Sequence, residues 1–161
     1  EGWWTVEFLP NEGNPYLQPH DHRFDLRQRI LGPASGLVPW WRLGLGGFSG
    51  SARYQCTFTV PKAPPGRRCW LDLGRVEQVA EVSLNDQPLG ERLWRPFRFE
   101  VTDLVGAGEN TLEVLVTNGL ANFLAAPRGE APPPLTQMPA SAMWSGLLGP
   151  VSLLVEAEDA R

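Results

Sequence analysis

Apolar and polar residues alternate along most of the readable chain. Trp3-Trp4-Thr5-Val6-Glu7-Phe8 alternates and stops at Pro10-Asn11. Arg53 to Val60 alternates up to Pro61, and Cys69 to Leu73 follows the turn Pro64-Pro65-Gly66. Gln78 to Leu84, Phe97 to Val101 and Leu112 to Val116 repeat the pattern, and Val151 to Glu156 closes it. A period of two puts successive side chains on opposite faces of a strand, so each run predicts a half-buried strand. Asn85-Asp86 and Gly106 to Asn110 supply the tight or left-handed turns between runs, and Glu91 to Arg95 is expected to form a longer loop. The runs number about eight, the strand count of a jelly-roll sandwich.

Two stretches lack a pattern. Residues 11–47 are punctuated by Pro15, Pro19, Gly32, Pro33, Gly36 and Pro39, and Phe24 to Ile30 predicts a turn or two of helix at most. Gly119 to Met143 carries Pro127, Pro132, Pro133, Pro134 and Pro139. Long loops inside a compact domain are usually functional or docked on something.

Composition agrees with an all-β reading. Seventeen Gly and sixteen Pro in 161 residues are many for a helical protein, and no apolar stripe at helical spacing lasts three turns. The length suits one domain over residues 1–161 with its own core. A net charge of -4 without a basic run argues against a nucleic-acid partner, and the apolar runs are too short to span a bilayer as helices. The start at Glu1-Gly2-Trp3-Trp4 has no signal peptide and reads as a piece of something longer. Cys56 and Cys69 both share the apolar parity of their runs, which predicts two buried free thiols. Neither has a second metal ligand at useful spacing.

The ordered motifs resemble a known family. Phe48-Ser49-Gly50 with Tyr54 and Phe58, Leu71-Asp72-Leu73-Gly74, and Ala80-Glu81-Val82 with Leu84-Asn85 and Leu89-Gly90 form one series. Pro96-Phe97, Val101-Thr102 and Gly108-Glu109-Asn110-Thr111-Leu112 continue it. This series resembles the galactose-binding-like β-sandwich of the β-galactosidase and β-glucuronidase family. Thr117-Asn118, Asn122 and Ser145 to Val151 are more similar to its version in the large α-L-rhamnosidases. The likeness runs from about Trp4 to Val155. It implies an all-β, galactose-binding-like jelly roll with two long loops, and an accessory domain whose parent carries catalytic carboxylates on a separate barrel. Fold alone does not fix function.

A glycosidase needs two carboxylates at a set separation. Glu77 with Glu81, Asp86 with Glu91, and Glu109 with Glu113 all fall in turns or on outward parities, where solvated charge is the default. His20 and His22, with Asp21 and Asp25, have ligand-like spacing but lie beside Pro19 in a patternless loop, without a third ligand. Gly44-Leu45-Gly46-Gly47 lacks the strand-to-helix setting of a phosphate loop, so no cofactor is expected. A structural calcium would need a dense Asp/Asn loop that the chain does not offer.

The seven tryptophans are more informative. Trp3, Trp4 and Trp70 lie in predicted strands and are assigned to the core. Trp40, Trp41, Trp94 and Trp144 lie in loops, where an aromatic plane can stack on the C–H face of a sugar. Arg95 and Asn122 would hydrogen-bond its hydroxyls. Trp94, Arg95, Asn122 and Trp144 are expected to share one end of the sandwich. The expected function is a non-catalytic carbohydrate-binding accessory domain, with carbohydrate and the parent's catalytic domain as partners. The competing readings are a scaffold that docks on that domain without binding sugar, since exposed aromatics also mark interfaces, and a freestanding glycosidase.

Overall fold

The computed structural model describes residues 3–9, 28–32, 36–61, 67–125 and 144–157. The loop histidines His20 and His22, and most of the Gly119 to Met143 stretch, lie outside the described residues. Within them are eleven strands, more than the alternation predicts: β1 Trp4–Leu9, β2 Arg29–Leu31, β3 Ser51–Val60, β4 Arg67–Asp72, β5 Arg75–Glu77, β6 Val79–Leu84, β7 Gln87–Arg92, β8 Arg98–Glu100, β9 Gly108–Thr117, β10 Gly146–Gly149 and β11 Ser152–Ala157. A 3-10 turn spans Trp40–Leu43, and a short helix, α1, spans Ala121–Ala125.

The strands form an antiparallel six-stranded sheet in the order β2-β1-β3-β9-β6-β7. A three-stranded sheet, β11-β4-β8, and a two-stranded ribbon, β10-β5, complete the fold. Parity explains the layering. Val6 and Phe8, Ala52 and Tyr54, Leu112, Val114 and Val116, and Ala80, Val82 and Leu84 all turn to the inner face of the large sheet. They meet Cys69 and Leu71, Phe99, Val76 and Leu147 from the smaller sheets in one hydrophobic core. This is a β-sandwich, and each large apolar side chain buried in it contributes about 1.5–3 kcal/mol. Cys56 and Cys69 are buried and unbridged.

The turn at Asn85-Asp86 forms as its residues dictate. Both adopt left-handed backbone, φ 51° and 62°, the requirement of a type I′ hairpin. Its second strand is β7, however, and not the Phe97 run. Glu91 and Arg92 are therefore strand residues, where the sequence predicts loop. Phe97 instead crosses to the other sheet, where β8 pairs with β4. Likewise Arg29 and Ile30 form strand β2, not helix, and Gly108 to Asn110 extend β9.

Side-chain amides tie down both ends. Asn110, buried, accepts from Gly106 N at 2.8 Å and donates to the Gly106 and Gly108 carbonyls. Asn85 donates to Asn110 Oδ1 at 2.9 Å and accepts from Thr111 N. At the opposite end Asn118 accepts from Gly50 N at 2.8 Å and donates to Phe48 O and Ser145 Oγ, both at 2.9 Å. One buried amide thus joins β3, β9 and the approach to β10.

Candidate functional site

The six residues singled out from sequence divide into two groups. Trp40, Trp41, Asn122 and Trp144 belong to the end of the sandwich organised by Asn118. Trp40 N donates to Ser145 O at 3.1 Å, and Asn122 Nδ2 donates to Gly46 O. Trp40 and Asn122 are both wholly buried, so neither can line an open site. The Trp40 indole packs edge-on to Phe8 and Phe48 and donates to Tyr54, while Phe123 N of α1 donates to the buried Ser49 hydroxyl. The loops carrying Trp40 and Asn122 fold over the sandwich end as a plug. Trp144 is half-buried, with the Arg75 guanidinium 4.4 Å from its ring centroid. Trp41 is exposed, with Arg42 at 5.3 Å over its ring.

Trp94 and Arg95 sit elsewhere. The chain leaves the large sheet at β7 and reaches the three-stranded sheet at β8, and the connecting residues project from that flank. Trp94 is 73% exposed. Arg92 closes the flank beneath it, its guanidinium 4.7 Å over the ring of buried Phe99. Arg92, Trp94, Arg95 and Pro96 line a cleft of about 420 Å³ together with Trp70, Arg98 and Glu156. The expected shared cleft with Trp144 and Asn122 does not form.

Trp70, a core residue by the sequence pattern, is instead half-buried in this cleft. Parity held the signal: Cys69 and Leu71 point inward, so Trp70 between them must point outward. Its indole Nε1 is buried and has no acceptor among the described residues. Trp3 also departs from the core assignment and is 65% exposed, while Trp4 is half-buried against Tyr54.

Charge in the cleft is uneven. Arg98 Nε is held by Asp72 Oδ2 at 2.6 Å. Arg92 donates to its neighbour's carbonyl, Glu91 O, at 3.0 Å. Among the described residues neither Arg92 nor Arg95 is ion-paired with a carboxylate. Glu156 lies opposite Arg68 in the register of the β11–β4 pair.

A second hollow, of about 300 Å³, opens between the sheets beside Trp4, Cys56, Phe58, Leu71 and Leu153 and is mainly apolar. Among the described residues neither hollow is lined by two carboxylates. The paired candidates lie apart from both: Glu77 binds Arg75, Glu113 binds Gln55 and Arg53, and Glu81 faces Glu91 across β6–β7.

The sequence profile described as glycosyl hydrolase 2 galactose-binding domain-like matches residues 49–142, more than half of the chain. The chain belongs to this family. A Formosa agariphila protein provisionally named a β-glucuronidase is 49% identical over 84 residues, covering 50% of this chain and 7% of that protein. A rhamnosidase structure from Novosphingobium sp. PP1Y superposes over 97% of this chain with a TM-score of 0.75 and 31% identity, and the match takes up 14% of that protein. A Bifidobacterium dentium β-glucuronidase, solved with coumarin-3-O-glucuronide, matches 74% of this chain at 29% identity and a TM-score of 0.55, over 20% of its own length. The chain thus spans a small part of each relative. The resemblance to both glycosidase groups stands, and so does the galactose-binding-like sandwich.

Proposed function

We propose that residues 1–161 form a single non-catalytic domain of a larger glycoside hydrolase and that this domain binds carbohydrate. The observation that carries the reading is Trp94, exposed beside Arg95 over a cleft that Trp70 also lines. A pyranose ring can place its C–H face on the indole while guanidinium groups hydrogen-bond its hydroxyls. The small share of each relative that the chain spans supports a larger parent.

The test is a glycan array probed with the chain and with Trp94→Ala. Loss of one stacking ring should weaken binding by about 1–3 kcal/mol, by analogy with bases on aromatic rings, with unfolding nearly unchanged. The chain alone should not turn over aryl glycosides. Reproducible turnover that vanishes with one carboxylate pair would defeat the reading.

A scaffold that docks on the parent's catalytic domain is the second reading. Trp3 and Ile30, 65% and 69% exposed near the β1–β2 edge, favour it. A fall of several degrees in Trp94→Ala with no effect on any glycan would select it.

A further inference from the structure

Resting on the carbohydrate-binding reading, we infer that the Trp70–Trp94 cleft takes an acidic glycan, one bearing a carboxylate or sulfate oxyanion. Three arginines, Arg92, Arg95 and Arg98, line one small hollow. Asp72 neutralises Arg98, which leaves Arg92 and Arg95 with full charge and no carboxylate partner among the described residues. A guanidinium offers a planar fork of donors that matches a carboxylate or sulfate, and a neutral sugar does not need it. Trp70 lines the same hollow and sets a second indole beside that of Trp94.

Glu156 lines the same hollow and opposes an anion. Its single negative charge stands against three arginines, of which Asp72 occupies one, so the balance remains positive. The chain as a whole carries a net charge of -4 and repels polyanions in general. Attraction to an acidic glycan therefore has to be local, and the two indoles require that it be a sugar and not merely a charge.

The experiment is a tryptophan-fluorescence titration with a polyuronate oligosaccharide, a sulfated oligosaccharide, a neutral oligosaccharide of equal length, and polyglutamate. Each is run at low salt and at about 0.5 M, where exposed charges are largely screened. At least one acidic oligosaccharide should bind about tenfold or more tighter than the neutral one, the equivalent of one charge-assisted contact. That advantage should shrink with salt and disappear in Arg95→Gln, whose side chain is exposed and whose thermal unfolding should match that of the parent chain. Which of the two acidic probes binds identifies the oxyanion. Equal affinity for neutral and acidic sugars, indifferent to Arg95→Gln, would overturn the inference and leave the carbohydrate-binding reading standing. Polyglutamate binding as tightly as the acidic glycan would also overturn it. Failure to bind any sugar would remove both.

Discussion

The indole Nε1 of Trp40 donates to the phenol oxygen of Tyr54 at 2.7 Å, and the backbone N–H of Leu147 donates to the same oxygen at 3.2 Å. Tyr54 is thus the acceptor that fastens both the 3-10 turn and β10 to the middle of the large sheet. Tyr54→Phe keeps the ring and orphans two buried donors, which should cost about 1–3 kcal/mol. For a chain of this size that lowers the melting temperature by roughly 2–4 °C per kcal/mol, readable by calorimetry. Gly146→Ala should cost more. Its Cβ would fall 2.6 Å from Trp40 Nε1 and 2.7 Å from Tyr54 Oη, at a backbone φ of 109° that alanine avoids. A Gly146→Ala protein as stable as the parent in urea would refute this packing.

Alkaline pH tests the same ring. Burial pushes the Tyr54 hydroxyl up to about 12 from its ordinary 10.0, more than its two donors lower it. Between those values the folded chain keeps a proton that the unfolded chain releases. The stability is present in full below pH 10 and is lost as pH rises through about 12, to a total of about 3 kcal/mol. Burial also raises the Cys56 thiol from 9.0 to about 12, with the same sign over a window that opens one unit lower. Urea midpoints from neutral pH to about 11 should fall less steeply in Tyr54→Phe and in Cys56→Ala than in the parent chain.

Asn118 should tolerate little. Asn118→Asp keeps the acceptor for Gly50 N but loses the donors to Phe48 O and Ser145 Oγ, and Asn118→Ala loses all three bonds. Both should destabilise, the alanine variant by at least about 2 kcal/mol. Equal stability of Asn118→Ala and the parent in denaturant would disprove the hub.

On the outer face, Glu81 and Glu91 are direct cross-strand neighbours, and both are exposed. Like charges in that relation repel. Glu91→Lys should stabilise by about 0.2–1 kcal/mol, with a gain that fades in high salt. A loss of stability, or a gain independent of salt, would show that the pair does not interact.

The parts of the fold legible in sequence are those whose two faces see different solvents. β1, β3, β4 and β9 each bury one parity, so alternation marks them, and Asn85-Asp86 marks its turn because few other residues accept two positive φ angles. β7 escaped because it is an edge strand exposed at nearly every position, which erases alternation. β5 and β10 are too short to show a period. Trp40 and Asn122 resemble surface loop residues until the loop folds back over the sandwich end, a tertiary event with no local signature. Trp94 and Arg95 were found by composition, whereas Arg92, Arg98 and Glu156 join them only through the meeting of β7, β8 and β11 at one flank.

The crossing from β7 to β8 has one more consequence. The chain before it supplies β1 to β7 and the chain after it β8 to β11, of which β9 sits between β3 and β6 in the large sheet and β8 and β11 flank β4. The two halves of the chain are therefore interleaved and not side by side. Tryptic cleavage after the exposed Arg92 should leave a nicked sandwich that migrates as one species under native conditions and parts only in denaturant. Fragments expressed separately on either side of Leu93 should find each other by strand insertion, which makes this domain a complementation pair in waiting.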